Sequence, residues 1–323
     1  NLSIQIYKSK RVLIDGNFVA ASLLVGSGII KEIRSYHLDS DEFQDAVVHD
    51  FGYKIIIPGL VDTHVHINEP GRTHWEGFHY ATRAAAAGGI TSLVDMPLNS
   101  SPVTTNVSAL EAKLRSFKGN GWVDCGFWGG AIPQNINDLD DLLDAGVLGL
   151  KAFTIESGID EFPEVNAEHL KQVMRKIGKY KLPLLVHAEL RDNYTEPNVS
   201  QTKPIGKSYN RFLASRPKRW ENNAIKLLIA LASSNNDEGI FTKLHIVHLS
   251  SSDALSLIRE GKDKGLCISA ETCPHYLHLY SEAIPDGNCI FKCCPPIRDS
   301  ENREHLWNGL AEGTIDFIVS DHS

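Results

Sequence analysis

The chain has 323 residues and a formal net charge of −8, from 32 Lys and Arg against 40 Asp and Glu. With 42% hydrophobic and 22% charged residues, it has the composition of a globular protein that buries a substantial core. The acidic balance argues against nucleic-acid binding, and no apolar run reaches the roughly 18 residues of a membrane span. No secretion signal is visible, so we expect the cytoplasm or an organelle such as the peroxisome.

Residues 1–57 contain short β-segments separated by Gly, Asp and Lys. Asp15-Gly16-Asn17 is a hairpin-turn signal between two of them. We expect this region to be the N-terminal part of a small β-sandwich domain.

From residue 58 onward, short apolar runs alternate with longer helical stretches. The eight predicted strands are 60–67, 90–96, 122–131, 146–153, 182–188, 243–249, 266–271 and 315–321. The seven predicted helices are 76–87, 107–117, 135–145, 167–179, 221–233, 253–264 and 303–311. Near-continuous apolar strands that alternate with helices favour a parallel sheet, and eight of them predict an α/β fold of the (β/α)8 barrel type over residues 58–323. The polar, aperiodic stretch 190–217 is predicted to be a loop.

Polar residues stand where a barrel places its active site, at the C-terminal ends of the strands. Six of them lie on five different predicted strands: His64, His66, Lys151, His187, His248 and Asp321. Each one alone has an ordinary structural explanation, such as a hydrogen-bonded core His or a helix-capping Asp. Their coincidence at one end of the barrel predicts a metal centre, and these ligand types suit zinc and other first-row divalent ions.

Lys151 is the unusual member of this group. An ammonium group would be repelled by a neighbouring metal ion. If the neutral amine reacts with CO2, the resulting carbamate is an anion with two oxygens, and it can bridge two metals. We therefore hypothesise that Lys151 is an N6-carboxylysine.

Eight segments of the chain resemble the cyclic amidohydrolases, in the order and spacing of that family. They include residues 58–78 (PGLVDTHVHINEPGRTHWEGF), 149–165 (GLKAFTIESGIDEFPEV), 184–189 (LLVHAE), 270–277 (AETCPHYL) and 315–323 (IDFIVSDHS). The resemblance begins near residue 55 and is closest to the allantoinases within the group. It implies a two-metal hydrolase on a (β/α)8 barrel, with a small β-sandwich built from both chain ends. Family members continue well past the eighth strand, so we expect the C-terminal part of the fold to lie beyond residue 323.

The resemblance also implies a role for each strand-end residue. The more buried metal is expected on His64, His66 and Asp321, the second metal on His187 and His248, and the carboxylated Lys151 between them. The implied reaction is hydrolysis of the hydantoin ring of (S)-allantoin to allantoate in purine catabolism, by a metal-activated hydroxide. Asp321 would accept the proton and pass it to the ring nitrogen.

Less specific features of the family concern substrate contacts and assembly. Cys294 and Pro296 lie in a loop that reaches the pocket in the family, and Asn68 and Ser323 lie beside predicted ligands in sequence, so these four residues are expected to bind substrate. A homo-oligomer, often a tetramer, is the family's usual assembly.

Two alternatives stay open at this point. The first is a sister enzyme of the same group. A dihydropyrimidinase or hydantoinase usually has Tyr five residues after the bridging Lys, where this chain has Glu156. A dihydroorotase usually has Arg where this chain has Asn68, which counts against it. A non-catalytic relative, such as a collapsin-response mediator protein, keeps the fold but loses metal ligands. All six ligand positions are occupied here by competent residues.

Overall fold

The computed structural model describes residues 4–38, 43, 45–192 and 206–323. The chain divides into two compact units, Asn1–Leu60 and Val61–Ser323. The predicted domain boundary, between residues 57 and 58, lies just before this division.

The first unit is built around one sheet of five strands. These are β1 (Gln5–Ile14), β2 (Asn17–Gly26), β3 (Ile29–Ser35), β4 (Val47–Asp50) and β5 (Ile55–Ile56). The strand order is β3-β2-β1-β4, and β5 also pairs with β1. β1 and β2 form an antiparallel hairpin. Its turn residues Asp15 and Gly16 have φ values of 48° and 78°, which suit a two-residue turn of the primed type.

The second unit contains the eight predicted strands, the third of them divided in two. They are β6 (Leu60–Val65), β7 (Ile90–Asp95), β8 (Asp124–Phe127), β9 (Gly129–Gly130), β10 (Leu150–Phe153), β11 (Pro183–His187), β12 (Lys243–Ile246), β13 (Cys267–Thr272) and β14 (Phe317–Ile318). They form the runs β6-β7-β8 and β9-β10-β11-β12-β13-β14. β8 and β9 are consecutive parts of one predicted strand, and a parallel bridge between Val65 of β6 and His322, just after β14, joins the other ends of the two runs. The predicted barrel is therefore confirmed.

Nine α-helices occur in the described residues. They are α1 (Phe78–Ala87), α2 (Val107–Phe117), α3 (Leu139–Asp144), α4 (Ala167–Tyr180), α5 (Tyr209–Ser215), α6 (Lys218–Asp237), α7 (Leu255–Asp263), α8 (Pro274–His278) and α9 (Ser300–Ala311). Seven correspond to the predicted helices. The predicted helix 135–145 begins as a 3-10 turn, Pro133–Asp138, before it becomes α3.

The prediction of a loop over 190–217 is wrong for Tyr209–Ser215, which forms α5. This helix is only two turns long, too short for a periodic pattern, but Tyr209 and Phe212 lie three residues apart and are both buried. Residues 193–205 of the predicted loop lie outside the described residues. The short α8 was also not predicted; it begins at Pro274, a residue favoured at the first position of a helix.

The helices of the second unit bury apolar faces against the barrel. α4 illustrates how the sequence sets this up: the Asn166 side chain caps its start by accepting from the His169 backbone N–H at 2.9 Å. Its buried residues recur at helical spacing and are Leu170, Val173, Met174, Ile177 and Gly178. No helix in the described part of the chain has the length and apolarity to cross a bilayer.

Candidate metal centre

Three of the predicted ligands converge at one point at the end of the barrel strands. His64, His66 and Asp321 each offer a ligand atom, and these atoms lie within 4.8 Å of one another. Asp321 Oδ1 lies 3.2 Å from His64 Nε2 and 3.5 Å from His66 Nε2. His64 and His66 come to the same side because side chains two residues apart on a strand share a face. We call these three residues the first cluster.

A buried carboxylate stands behind the first cluster. Glu271, in β13, contacts His64 Nδ1 and also accepts from His245 Nε2 at 2.9 Å. Burial opposes a charge on His64, but Asp321 and Glu271 raise the pKa of His64 to about 9. Surroundings that stabilise a proton on this imidazole also favour a metal cation in its place.

Two further predicted ligands face each other beside the first cluster. His187 Nδ1 lies 3.0 Å from His248 Nε2, and the His64 and His248 ring centroids are 5.4 Å apart. Glu189 Oε1 lies 2.7 Å from His187 Nε2. A carboxylate at that nitrogen holds the proton there and leaves the lone pair on Nδ1, which faces His248. We call His187 and His248 the second cluster.

The second cluster differs from the first in its electrostatics. Burial, followed by the nearby Lys151, lowers the pKa of His187 well below its ordinary value. Burial, followed by His187 and Lys151, does the same for His248. Both imidazoles are therefore neutral, which is the form that ligates a metal.

Lys151 lies on β10 and is 1% exposed. Burial lowers the pKa of its amine to about 8, although Glu271 and Asp321 act in the opposite direction. Its Nζ lies 5.1 Å from the ring centroid of Phe153, which stacks on His187. A depressed pKa increases the neutral fraction of the amine, and the neutral form is the one that reacts with CO2.

The donor set fits bound divalent metal ions. Several buried polar atoms at the site have no hydrogen-bond partner in the described structure: His66 Nδ1, Asn68 Oδ1 and His248 Nδ1. Buried polar atoms in folded proteins are nearly always satisfied, so a concentration of exceptions indicates a place for a bound group. Imidazole and carboxylate donors suit zinc and its first-row neighbours.

The backbone is strained at three residues of the candidate metal centre. The φ angles are 66° at Asn68, 38° at His248 and 51° at Asp321, all in the left-handed region that non-glycine residues rarely adopt. Such strain persists only where the surroundings fix it, and it concentrates at functional sites.

The residues predicted to contact substrate are less closely grouped. Asn68 is buried, next to the first cluster in sequence, while Pro296 is buried with its carbonyl accepting from Ser250 Oγ at 2.7 Å. Cys294 and Ser323 are exposed. Within the described residues, no hydrogen bond joins the Ser323 side chain to either cluster.

Sequence reasoning missed the charged residues behind the ligands. Glu189 stands two residues after His187, and Glu271 ends a predicted strand. Both positions carried a usable signal, because residues two apart on a strand share a face and a carboxylate at a strand end reaches the same side of the barrel as the ligands. Arg216, which donates to Glu189 Oε1 at 2.6 Å, and Arg298, which donates to the Arg216 carbonyl at 2.7 Å, gave no comparable signal because both lie outside the strands.

Comparisons with known proteins are consistent with this geometry. Residues 55–323 match the amidohydrolase family. The chain is 48% identical over 320 residues to an allantoinase of Streptomyces avermitilis, covering 98% of this chain and 69% of that protein. It is 46% identical over 322 residues to an allantoinase of Arabidopsis thaliana, covering 98% of this chain and 63% of that protein.

A solved structure shows the same architecture. The L-hydantoinase (dihydropyrimidinase) of Arthrobacter aurescens superimposes with a TM-score of 0.86 at 27% identity, covering all of this chain and 69% of that one. The chain thus spans about two thirds of the length of the proteins it matches. It belongs to the amidohydrolase family.

Proposed function

We propose that the protein is an allantoinase, which hydrolyses the cyclic amide of (S)-allantoin to allantoate. The observation that carries this proposal is the convergence of the first cluster, the second cluster and Lys151 at the end of a barrel whose sequence is 48% identical to that of an allantoinase. The class of reaction, hydrolysis of a cyclic amide, is common to that relative and to the hydantoinase that the fold matches.

Two divalent metal ions, in our proposal zinc, would use the six predicted ligands. The first cluster would hold one ion and the second cluster the other, with Lys151 as an N6-carboxylysine bridging them. When bound, such ions lower the pKa of a coordinated water and polarise a substrate carbonyl.

Asp321 is the proposed proton carrier. Burial opposes its charge, but His64 and His66 hold the pKa of this carboxylate well below its ordinary value, so it is ionised. Its position 3.2 Å from His64 Nε2 and 3.5 Å from His66 Nε2 fixes its orientation. Asp321 would accept a proton from the attacking water and donate it to the departing ring nitrogen.

The alternative reading, a dihydropyrimidinase or hydantoinase, is not favoured. The position that carries Tyr in those enzymes is Glu156 here, and its carboxylate pairs with Arg191 in place of offering a hydroxyl. A non-catalytic scaffold is disfavoured because every ligand position is filled by a competent residue.

Asn68 is the best supported of the proposed substrate contacts. It is 2% exposed, and its Oδ1 has no hydrogen-bond partner within the described residues, so this acceptor is available to a ring N–H. Cys294 and Pro296 are carried over from the family as further proposed contacts, and Ser323 is proposed because it lies beside Asp321 in sequence. A homotetrameric assembly is also carried over from the family, and the proposed location is the cytoplasm or an organelle such as the peroxisome.

One experiment tests the proposal directly. Metal content and hydrolysis of allantoin, hydantoin, dihydrouracil and dihydroorotate are measured on the same preparation of the purified protein. We expect two metal equivalents per chain and a clear preference for allantoin. Preference for dihydrouracil or hydantoin would transfer the assignment to the sister enzymes, and a protein with neither metal nor activity would fit the scaffold reading.

A further inference from the structure

The carboxylate behind His187 belongs to a larger buried network. Glu189 Oε1 accepts a hydrogen bond from Arg216 Nη1 at 2.6 Å, in addition to its contact with His187. The backbone carbonyl of Arg216 accepts in turn from Arg298 Nη1 at 2.7 Å. Arg298 is 4% exposed and lies between α8 and α9. Its guanidinium therefore fixes the segment that presents Arg216 to Glu189.

The same guanidinium also reaches the segment that follows His248. Arg298 Nε donates to Ser250 Oγ at 3.2 Å, and Ser250 Oγ donates to the Pro296 carbonyl at 2.7 Å. Ser250 is two residues after His248, whose backbone has a φ of 38°. A residue in this conformation depends on its surroundings to stay there.

A buried ion pair completes the network. Arg298 Nη2 donates to Glu221 Oε2 at 2.7 Å, and both side chains are 3% exposed. Glu221 Oε1 accepts from the backbone N–H groups of Ser250 and Ser251, each at 3.0 Å. All three nitrogens of the Arg298 fork are thus engaged. A Lys cannot reproduce this planar, divided geometry.

The first cluster is held by different residues. Asp62 Oδ1 accepts from the backbone N–H groups of His64 and Ser320, each at 3.2 Å, and Glu271 contacts His64. In the described structure, no hydrogen bond from Arg298 reaches any of these residues. Glu271 Oε1 also accepts from the backbone N–H of His248 at 3.3 Å, so this carboxylate contacts both clusters, whereas the Arg298 network contacts the second cluster alone.

We propose that Arg298 is a positioning residue for the second metal ion. It acts on His187 through Arg216 and Glu189, and on His248 through Ser250, and so holds the two imidazoles at their ligating separation. This inference rests on the two-metal centre of the proposed function. Residues that orient metal ligands in this way set the affinity of the site, typically by about 10–100-fold.

The test is the zinc stoichiometry of Arg298→Lys in the purified protein. We expect about one zinc per chain after dialysis where the unaltered protein keeps two, with kcat lowered by roughly 10–100-fold and KM little changed. Raising the zinc concentration should restore the second equivalent and most of kcat. Arg175→Lys is the matched control, because Arg175 on α4 forms an exposed pair with Glu238, just after α6, and its replacement should leave both equivalents in place.

Two milder variants keep the test decisive if Arg298→Lys does not fold. Ser250→Ala removes the hydrogen bond between Arg298 and the segment after His248. Arg216→Gln removes the charged contact with Glu189, which contacts His187. Both variants leave the ion pair of Arg298 with Glu221 intact. Each should weaken the second zinc selectively. Retention of both zinc ions at unaltered affinity, or parallel loss of both, would overturn the inference. A single zinc in the unaltered protein would instead refute the proposed two-metal function.

Discussion

The two clusters at the end of the barrel contain similar proposed ligands in opposite electrostatic settings. The first cluster has the carboxylate of Asp321 among its ligands and that of Glu271 behind it, and these raise the pKa of His64 to about 9. In the second cluster, Glu189 is already paired with Arg216, and burial together with Lys151 lowers the pKa values of both imidazoles.

This difference gives a physical reason for the proposed carboxylation of Lys151. The first cluster attracts a cation by itself, whereas the second offers two neutral imidazoles beside a positive amine. Conversion of that amine to a carbamate replaces the repelling charge with an attracting one. The second metal ion should therefore depend on Lys151 more strongly than the first.

Replacing Lys151 by Ala is expected to have the largest effect. The second metal loses its anionic ligand and should be absent, while the first loses its bridge and should bind more weakly, so bound metal and turnover should fall together, with activity lowered by more than the roughly 100-fold typical of a supporting residue. Metal analysis and allantoin hydrolysis measure both quantities on one sample.

Short carboxylic acids supply the control for that variant. Acetate or propionate can occupy the space left by the side chain and provide the missing carboxylate. Partial recovery of metal and activity would support the carbamate, and full activity of Lys151→Ala without any additive would refute it. Native mass spectrometry of the unaltered protein should show the added CO2.

Asp321→Asn separates proton transfer from metal binding. The amide keeps an oxygen for ligation but cannot carry a proton, so turnover should fall by about 10²–10⁴-fold while most of the metal stays bound. Rate measurements and metal content decide the matter. A near-normal rate would remove Asp321 from its role, and complete loss of metal would show that its charge holds the first ion.

A pair of matched variants tests the difference between the two clusters. Glu271→Gln and Glu189→Gln each remove one charge from the carboxylate behind a ligand His, and each should lower metal affinity by about 10–100-fold. Glu271→Gln should act mainly on the first ion, because Glu271 contacts the imidazole of His64 but only the backbone of His248, and Glu189→Gln should act on the second, as resolved by stepwise zinc titration. If both weakened the same ion, the clusters would not be separately supported.

The fold and the six candidate ligands could be predicted from the sequence because both follow short-range rules; the fold is confirmed, and the ligand roles stay a prediction. Strand runs and the position of His64, His187 or Asp321 at strand ends depend on local periodicity. Arg298 follows from no such rule, because its partners Arg216, Ser250 and Glu221 are brought to it by the tertiary fold. The short helix α5 was not predicted for a related reason, because what identifies it is the burial of Tyr209 and Phe212 in the tertiary fold.

The smallest effect is expected beside the first cluster, at Arg72. Its guanidinium donates to the Asn99 carbonyl at 2.9 Å and lies 5.3 Å from the centre of a Trp75 ring, so its contacts brace the loop after β6. Arg72→Ala should therefore cost about 1 kcal/mol of stability through the lost hydrogen bond, with kcat and KM nearly unchanged. Thermal unfolding and steady-state kinetics measure the two effects. A large rise in KM without a loss of stability would instead show that Arg72 contacts the substrate. The loop beside the first cluster would then contribute to substrate binding.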